Sequence, residues 1–207
     1  MLNKSCLEFI DELASGAPVP GGGGASAYVG ALGVALGSMV SNLTTGRKKY
    51  AAYEGDIQRI LAECAVLQGE LAGLVDKDAE VFAVLADAYS LPRGTDEEKL
   101  HKETVMESAL LAASLVPLDI MKRAYEGLLL HGELARIGSR MAISDVGVGA
   151  QLLRSAVLGA AMNIFINAKS MKDRDEAENI LSRTRSIMDK TIELADSIYA
   201  GITEDLI

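Results

Sequence analysis

From Ala25 to Thr44 the chain runs for 20 residues without a charge. Inside that run Ser26, Gly30, Gly33, Gly37 and Ser41 recur at intervals of 4, 3, 4 and 4, which sets them on one narrow face of a helix. A face nearly without side chains lets another backbone come close. Each interior Gly costs about 1 kcal/mol against Ala, so packing or ligand contact must offset it. The length, and the Arg47-Lys48-Lys49 cluster that follows, also suit a membrane span. The Gly, Ser and Asn42 content lowers the transfer energy. The sequence favours a helix buried in a soluble protein with no membrane partner.

The flanking segments repeat the helical signal. Ser5 with Glu8 forms a capping-box pattern. Cys6, Phe9, Ile10 and Leu13 follow at i, i+3, i+4 and i+7, and Gly16 stops this first helix. Ala17-Pro18-Val19-Pro20 with Gly21, Gly22, Gly23 and Gly24 suits neither a helix interior nor a central strand, which predicts a loop ending at Ala25. Gly46 and the basic cluster close the uncharged helix. A long helix is expected from about Tyr53 to Tyr89, with an apolar seam of Leu67, Leu71, Leu74, Val81 and Leu85. Leu91-Pro92-Arg93-Gly94 reads as a turn, and Thr95 with Glu98 as another capping box. The next helix reaches about Ser114, Pro117 marks a kink or restart, and the helix after it ends near Gly138.

Ser144 to Gly149 reads as a second glycine-bearing loop and helix start. Ser155 to Ala168 is again uncharged, with Gly159, Ala160 and Ala161 as small residues. Asp173 with Glu176 caps the last helix. No stretch alternates as a strand, and no composition shift marks a boundary. The expectation is all-α: one domain over residues 1–207, a bundle of about six helices with two buried helices rich in small residues.

Charge and composition narrow the function. A net charge of −9 with 4% aromatic residues argues against a nucleic-acid partner. Cys6 and Cys64 form no disulfide framework and suit a reducing compartment. Glu8, Asp11 and Glu12 break up the start of the chain as a secretory signal, so a cytoplasmic protein is expected.

Several residues stand out chemically. Gly22, Gly24 and Ala27 match a dinucleotide fingerprint, but Pro-Val-Pro precedes them instead of a strand, and the match is rejected. The loop instead crowns a helix N-terminus with backbone N–H groups, a place for anions or polarised oxygens. Asp78 falls in the slot where the seam of the long helix predicts an apolar residue. A carboxylate there is costly unless paired, and perturbed carboxylates gather at sites. Asp76 and Glu80 lie off the seam and read as a solvated face. Asp145, beside Ser144, reads as an N-cap. Asn163 and Asn167, one turn apart in an apolar helix, need partners on another helix or on a heterocyclic ligand. Lys48 and Lys49 belong to the densest basic cluster and suit either a helix C-terminus or a carboxylate subsite. They lie about 24 residues, roughly 35 Å of helix, from the glycine loop, so one small ligand touches both only through a break or another subunit. His101 and His131 lack ligand spacing, and no metal is expected.

Pro18-Val19-Pro20-Gly21-Gly22-Gly23-Gly24-Ala25-Ser26-Ala27, with Gly30-Ala31-Leu32-Gly33 after it, resembles the cyclodeaminase/cyclohydrolase family. That family comprises the folate-processing domain of formiminotransferase-cyclodeaminase and stand-alone methenyltetrahydrofolate cyclohydrolases. Gly46-Arg47-Lys48-Lys49-Tyr50, Asp76-Lys77-Asp78 and the stretch from Ser144 to Asn167 look like its further blocks. The family more often has Ser after three glycines, where this chain has Gly24; the hydroxyl comes later, at Ser26.

The resemblance implies an all-helical homodimer, a tetrahydrofolate substrate and no further cofactor. It implies hydrolysis of 5,10-methenyltetrahydrofolate to 10-formyltetrahydrofolate, or alternatively cyclisation of 5-formiminotetrahydrofolate with loss of ammonia. Asp78 and Asp145 are the candidate proton-transfer groups, with Lys48 beside them. Lys48 or Lys49 would hold the glutamate tail. Gly21 to Gly24, Ser26, Asn163 and Asn167 would bind the pterin edge. A helical scaffold without catalysis is the reading from another class. It accounts for the small-residue helix, but not for four consecutive Gly or an Asp in the seam.

Overall fold

The computed structural model describes residues 1–207, apart from the side chain of Asp205. Its elements are α1 (Cys6–Ala14), α2 (Gly22–Thr44), α3 (Glu54–Ser90), α4 (Asp96–Ile137), α5 (Ile143–Ser170) and α6 (Arg174–Leu206). Short 3-10 turns at Lys48–Tyr53 and Arg140–Ala142 lead into α3 and α5. The architecture is the expected all-α bundle of six helices.

Local chemistry sets several of the boundaries. Both capping boxes form: Ser5 accepts from the Glu8 amide at 3.2 Å, and Thr95 accepts from the Glu98 amide at 3.2 Å. Asp173 accepts from the amides of Asp175 and Glu176 and so opens α6. Gly46, at φ 70°, takes the left-handed conformation that ends the α2 segment.

Helix α2 lies at the centre, packed on α3, α4 and α5. It runs antiparallel to α5: Gly22 faces Asn163, Ser26 faces Gly159, and Gly33 faces Leu153 and Gly149. It is also antiparallel to α3, since Gly24 meets Val75 and Gly30 meets Leu71. The small-residue face is thus a two-sided seam. By length and composition α2, α4 and the segment Arg140–Ser170 are apolar enough to cross a bilayer; here they bury much of that surface against one another.

His131 shows how tight the seam is. Its imidazole is fully buried, and Nδ1 donates to the Gly127 carbonyl at 2.9 Å. A Cβ on Gly149 would sit 2.8 Å from the ring Cδ2, and one on Gly37 would sit 2.9 Å from Cε1. Those glycines are the space the ring occupies. Burial holds the His131 pKa below the usual histidine value.

Three boundaries differ from the sequence expectation. Helix α2 begins at Gly22, three residues early, because tertiary contacts offset the helix cost of Gly22, Gly23 and Gly24. Pro117 neither ends nor restarts a helix: α4 runs 42 residues through it. Ser144 to Gly149 is not a loop but the start of α5, which begins at Ile143. Asp145 therefore lies in the first turn and is not the N-cap; that position belongs to Ala142, which makes no side-chain cap.

Candidate active site

Pro117 has no N–H, so in a continuous helix the carbonyl four residues before it loses its usual donor. That carbonyl is Ala113's, and the side chain of Asn167 supplies the missing donor from α5 at 2.9 Å. Asn163, one turn earlier, donates to the Gly159 carbonyl of its own helix at 3.2 Å. The two amides thus take helix partners through nitrogen. Among the described residues neither carbonyl oxygen has a hydrogen-bond donor.

Asp78 projects from the seam of α3 toward the first turn of α2. A Cβ on Gly23 would come within 2.5 Å of the carboxylate carbon, so only Gly admits the carboxylate here. The Gly24 N–H lies close enough to the carboxylate to favour its charged form. Helix α2 has no side-chain cap of its own at Gly21; a residue from another helix partly fills that role. Burial is the larger influence and pushes the Asp78 pKa above the ordinary carboxylate value, with the Gly24 N–H opposing it. A glycine-lined helix N-terminus has therefore been brought against a carboxylate inclined to hold a proton.

A cavity of about 130 Å³ joins these groups. Gly21, Gly22, Gly23, Asp78, Asn163 and Asn167 line it, with Val81, Phe82 and Ile166 as apolar walls. Gly24 packs behind it on Pro20 and Val75. Ser26 does not reach it: the hydroxyl is buried toward α5 and donates to the Gly22 carbonyl at 2.7 Å. Asp76 and Glu80 are exposed and pair with the N-terminal amine and Lys77, as their place off the seam implies.

Lys48, Lys49 and Asp145 are at the other end of the bundle. Lys48 and Lys49 follow the whole length of α2, about 34 Å from its start, and Asp145 is 18 residues, about 27 Å, along α5 from Asn163. The Lys48–Tyr53 turn docks instead on the α4–α5 junction, where Tyr50 accepts from the Arg140 amide at 3.0 Å. Within one chain these three residues do not meet the Asp78 cleft. The reach of an α-helix, legible in the sequence, dictates that separation.

Three contributors escaped the sequence reading. Phe82 and Ile166 wall the cavity from exposed positions; the step from Asp78 to Phe82, one turn along α3, is the signal that marks the first. Ala113 enters through its backbone, and the signal for it was Pro117.

The model of the formiminotransferase-cyclodeaminase family matches residues 5–186. The chain is 39% identical over 200 residues to a methenyltetrahydrofolate cyclohydrolase of Methylorubrum extorquens, covering 97% of this chain and 96% of that one. It is 33% identical over 188 residues to the formimidoyltransferase-cyclodeaminase of Rattus norvegicus, covering 91% of this chain but 35% of the longer protein. The crystal structure of a formiminotetrahydrofolate cyclodeaminase from Thermotoga maritima superposes with a TM-score of 0.90 at 26% identity, covering 100% of this chain and 99% of that one.

Proposed function

The chain belongs to the formiminotransferase-cyclodeaminase family, and from that premise we propose that it is an enzyme hydrolysing 5,10-methenyltetrahydrofolate to 10-formyltetrahydrofolate. The observation that carries this reading is the Asp78 carboxylate, desolvated and set against the glycine-crowned start of α2. Methenyltetrahydrofolate carries a delocalised cation over its one-carbon bridge and two nitrogens. A carboxylate in a low-dielectric cleft attracts that cation, and its raised pKa makes it a better proton acceptor than an ordinary carboxylate. The oxygen of a water molecule adds to the bridge carbon while Asp78 takes a proton from it. The bond from that carbon to N5 then breaks, its electron pair goes to N5, and the proton returns there. The product keeps the formyl group on N10, and one proton is released overall. The free carbonyl oxygens of Asn163 and Asn167 suit the N–H edge of the pterin.

Identity of 39% to the cyclohydrolase, against 33% and 26% to the two cyclodeaminases, favours hydrolysis. Similarity to cyclodeaminases keeps the second reading, in which ammonia leaves 5-formiminotetrahydrofolate as the methenyl bridge closes. The same carboxylate would move the proton there. Both folates should be assayed side by side, following the absorbance of the methenyl form. Loss of methenyltetrahydrofolate supports the hydrolase; its appearance from the formimino form supports the deaminase. Turnover and binding of neither would favour the non-catalytic scaffold.

A homodimer is part of the same proposal. Val29, Leu32, Leu36, Met39 and Leu43 form an outward apolar stripe on α2, and Val148, Leu152, Met162 and Ile166 form one on α5. Leu32, Met39, Leu43, Val148, Met162 and Ile166 are each more than a third exposed. The cavity is also smaller than the ~300 Å³ at which small-molecule sites begin. A second copy on this face would wall the cleft, since Ile166 belongs to both stripe and cavity. A two-fold axis across the antiparallel α2–α5 pair would carry Lys48, Lys49 and Asp145 of the second copy toward the cleft. Leu36→Lys should give a monomer with impaired turnover; a fully active monomer would refute the shared site. A cytoplasmic setting, with no nucleic acid, membrane, metal or further cofactor, completes the proposal.

A further inference from the structure

Beside the Asp78 cleft lies a second cavity, of about 280 Å³, between the α3–α4 turn and the α5–α6 turn. The two abut through helix positions one turn, ~5 Å, apart: Ala113 and Leu110 on α4, Asn167 and Ser170 on α5. Arg93, Lys99, Lys102 and Lys172 line the second cavity against Glu103 and Glu107. A positive lining stands out in a chain of net charge −9.

The charges are unequally spent. Lys99 pairs with Asp96 at 2.8 Å, and Lys172 with Glu103 at 2.6 Å. Glu107 accepts from the amides of Lys172 and Asp173 at 2.8 and 3.0 Å. Lys102 donates to the carbonyls of Tyr89 and Leu91, at 2.6 and 2.7 Å, where α3 ends, so no carboxylate neutralises it. Arg93 is exposed in the turn and has no protein partner among the described residues. Arg93 is thus left free, Lys102 is held by the carbonyls that end α3, and with four cations against two carboxylates the lining stays net positive.

Their order along α4 is chemical as well as geometric. Ala113, Leu110, Met106, Lys102 and Lys99 are spaced 3, 4, 4 and 3 apart, one face of the helix. Away from the cleft, that face passes from the reaction site through two apolar side chains to cations about 16 Å off at Lys102. A tetrahydrofolate has the same order: a reactive bridge, an aminobenzoyl ring, then a glutamate with two carboxylates. We propose that this groove holds the benzoyl ring on Leu110 and Met106 and the glutamate carboxylates at Arg93 and Lys102. The tail then lies within the same chain as Asp78, at the end of the bundle away from that chain's own Lys48 and Lys49. This inference rests on the folate reading above.

The test compares kcat/KM for methenyltetrahydrofolate with that for the pteroate analogue lacking glutamate. The variants are Arg93→Glu, Lys49→Glu and, as a surface control, Arg185→Glu. Arg93→Glu should lower the ratio of the two values about tenfold, mainly through KM. The control should not move it. Added salt should erode the wild-type ratio, because the contacts are exposed. An unmoved ratio in Arg93→Glu, or a fall in Lys49→Glu instead, would overturn the assignment while leaving the activity standing. A wild-type protein that turns over neither methenyl compound would remove the folate reading and this inference with it. Thermal melts near wild type would exclude unfolding as the cause.

Discussion

The side chain of Asn167 on α5 donates to the carbonyl of Ala113 on α4, at 2.9 Å, and that carbonyl is the one Pro117 leaves without its helical partner. A helix defect and a site residue thus satisfy each other. The carbonyl oxygen of Asn167 remains turned to the cleft.

This coupling is measurable. Asn167→Ala should destabilise the fold by about 1–3 kcal/mol, because it leaves a buried carbonyl without a donor. Pro117→Ala restores an N–H to the helix, so the same Asn167 change should then cost clearly less. Chemical denaturation of the four proteins of the cycle measures the difference. Equal costs in both backgrounds would show that the two residues act independently.

Asp78→Asn should lower kcat a hundredfold or more while raising the melting temperature. The carboxylate is desolvated at a cost to stability, and the amide removes the charge yet keeps an oxygen for the Gly24 N–H. Near-normal turnover in this variant would remove Asp78 from the mechanism. A lower melting temperature would contradict the electrostatic account.

The rate should fall with acidity through the protonation of Asp78. As a base it works ionised, and its folded pKa is raised, so the acid limb of kcat/KM should lie above the ordinary carboxylate value. Folding stability moves the other way for this group: with its folded pKa raised, the folded state gains stability as pH falls through that pKa toward the ordinary carboxylate value. A rate profile whose acid limb sits at or below the ordinary value would contradict the assignment.

Gly23→Ala should abolish turnover, and Gly22→Ala should not. A methyl at residue 23 would collide with the Asp78 carboxylate, whereas one at residue 22 would meet Asn163 at an ordinary 3.7 Å. Steady-state kinetics on both variants decide it, with circular dichroism to confirm the fold. Similar losses in the two would mean that helix propensity, and not the carboxylate contact, governs this turn.

His131 gives a stability signature distinct from that of Asp78. Its folded pKa is depressed by burial, so below the ordinary histidine value the unfolded chain binds a proton that the folded one does not. Stability should therefore fall as pH drops below about 6.5, until the folded pKa is reached. His131→Gln should flatten that part of a melting-temperature profile. A slope unchanged in the variant would place its origin elsewhere.

What the sequence determined alone was local and one-dimensional. Ser5 and Glu8, Thr95 and Glu98, and Asp173 fixed helix starts because a capping side chain acts within three residues. The intervals between Ser26 and Ser41 set a close-packed face because helix geometry is periodic. The same periodicity put Asp78 in an apolar seam, and the reach of α2 separated Lys48 from the glycine loop. Tertiary structure decided the rest. Gly22 to Gly24 became helical because α3 and α5 pack on them and the Asp78 carboxylate lies against Gly23, contacts that no local propensity contains. Helix α4 continued through Pro117 because Asn167, 54 residues from Ala113, took up that residue's orphaned carbonyl. Asp145 entered α5 instead of capping it, for the chain after Arg140 was already turning into the helix. Free energies of this kind come from partners distant in sequence, and only the packed chain brings those partners together.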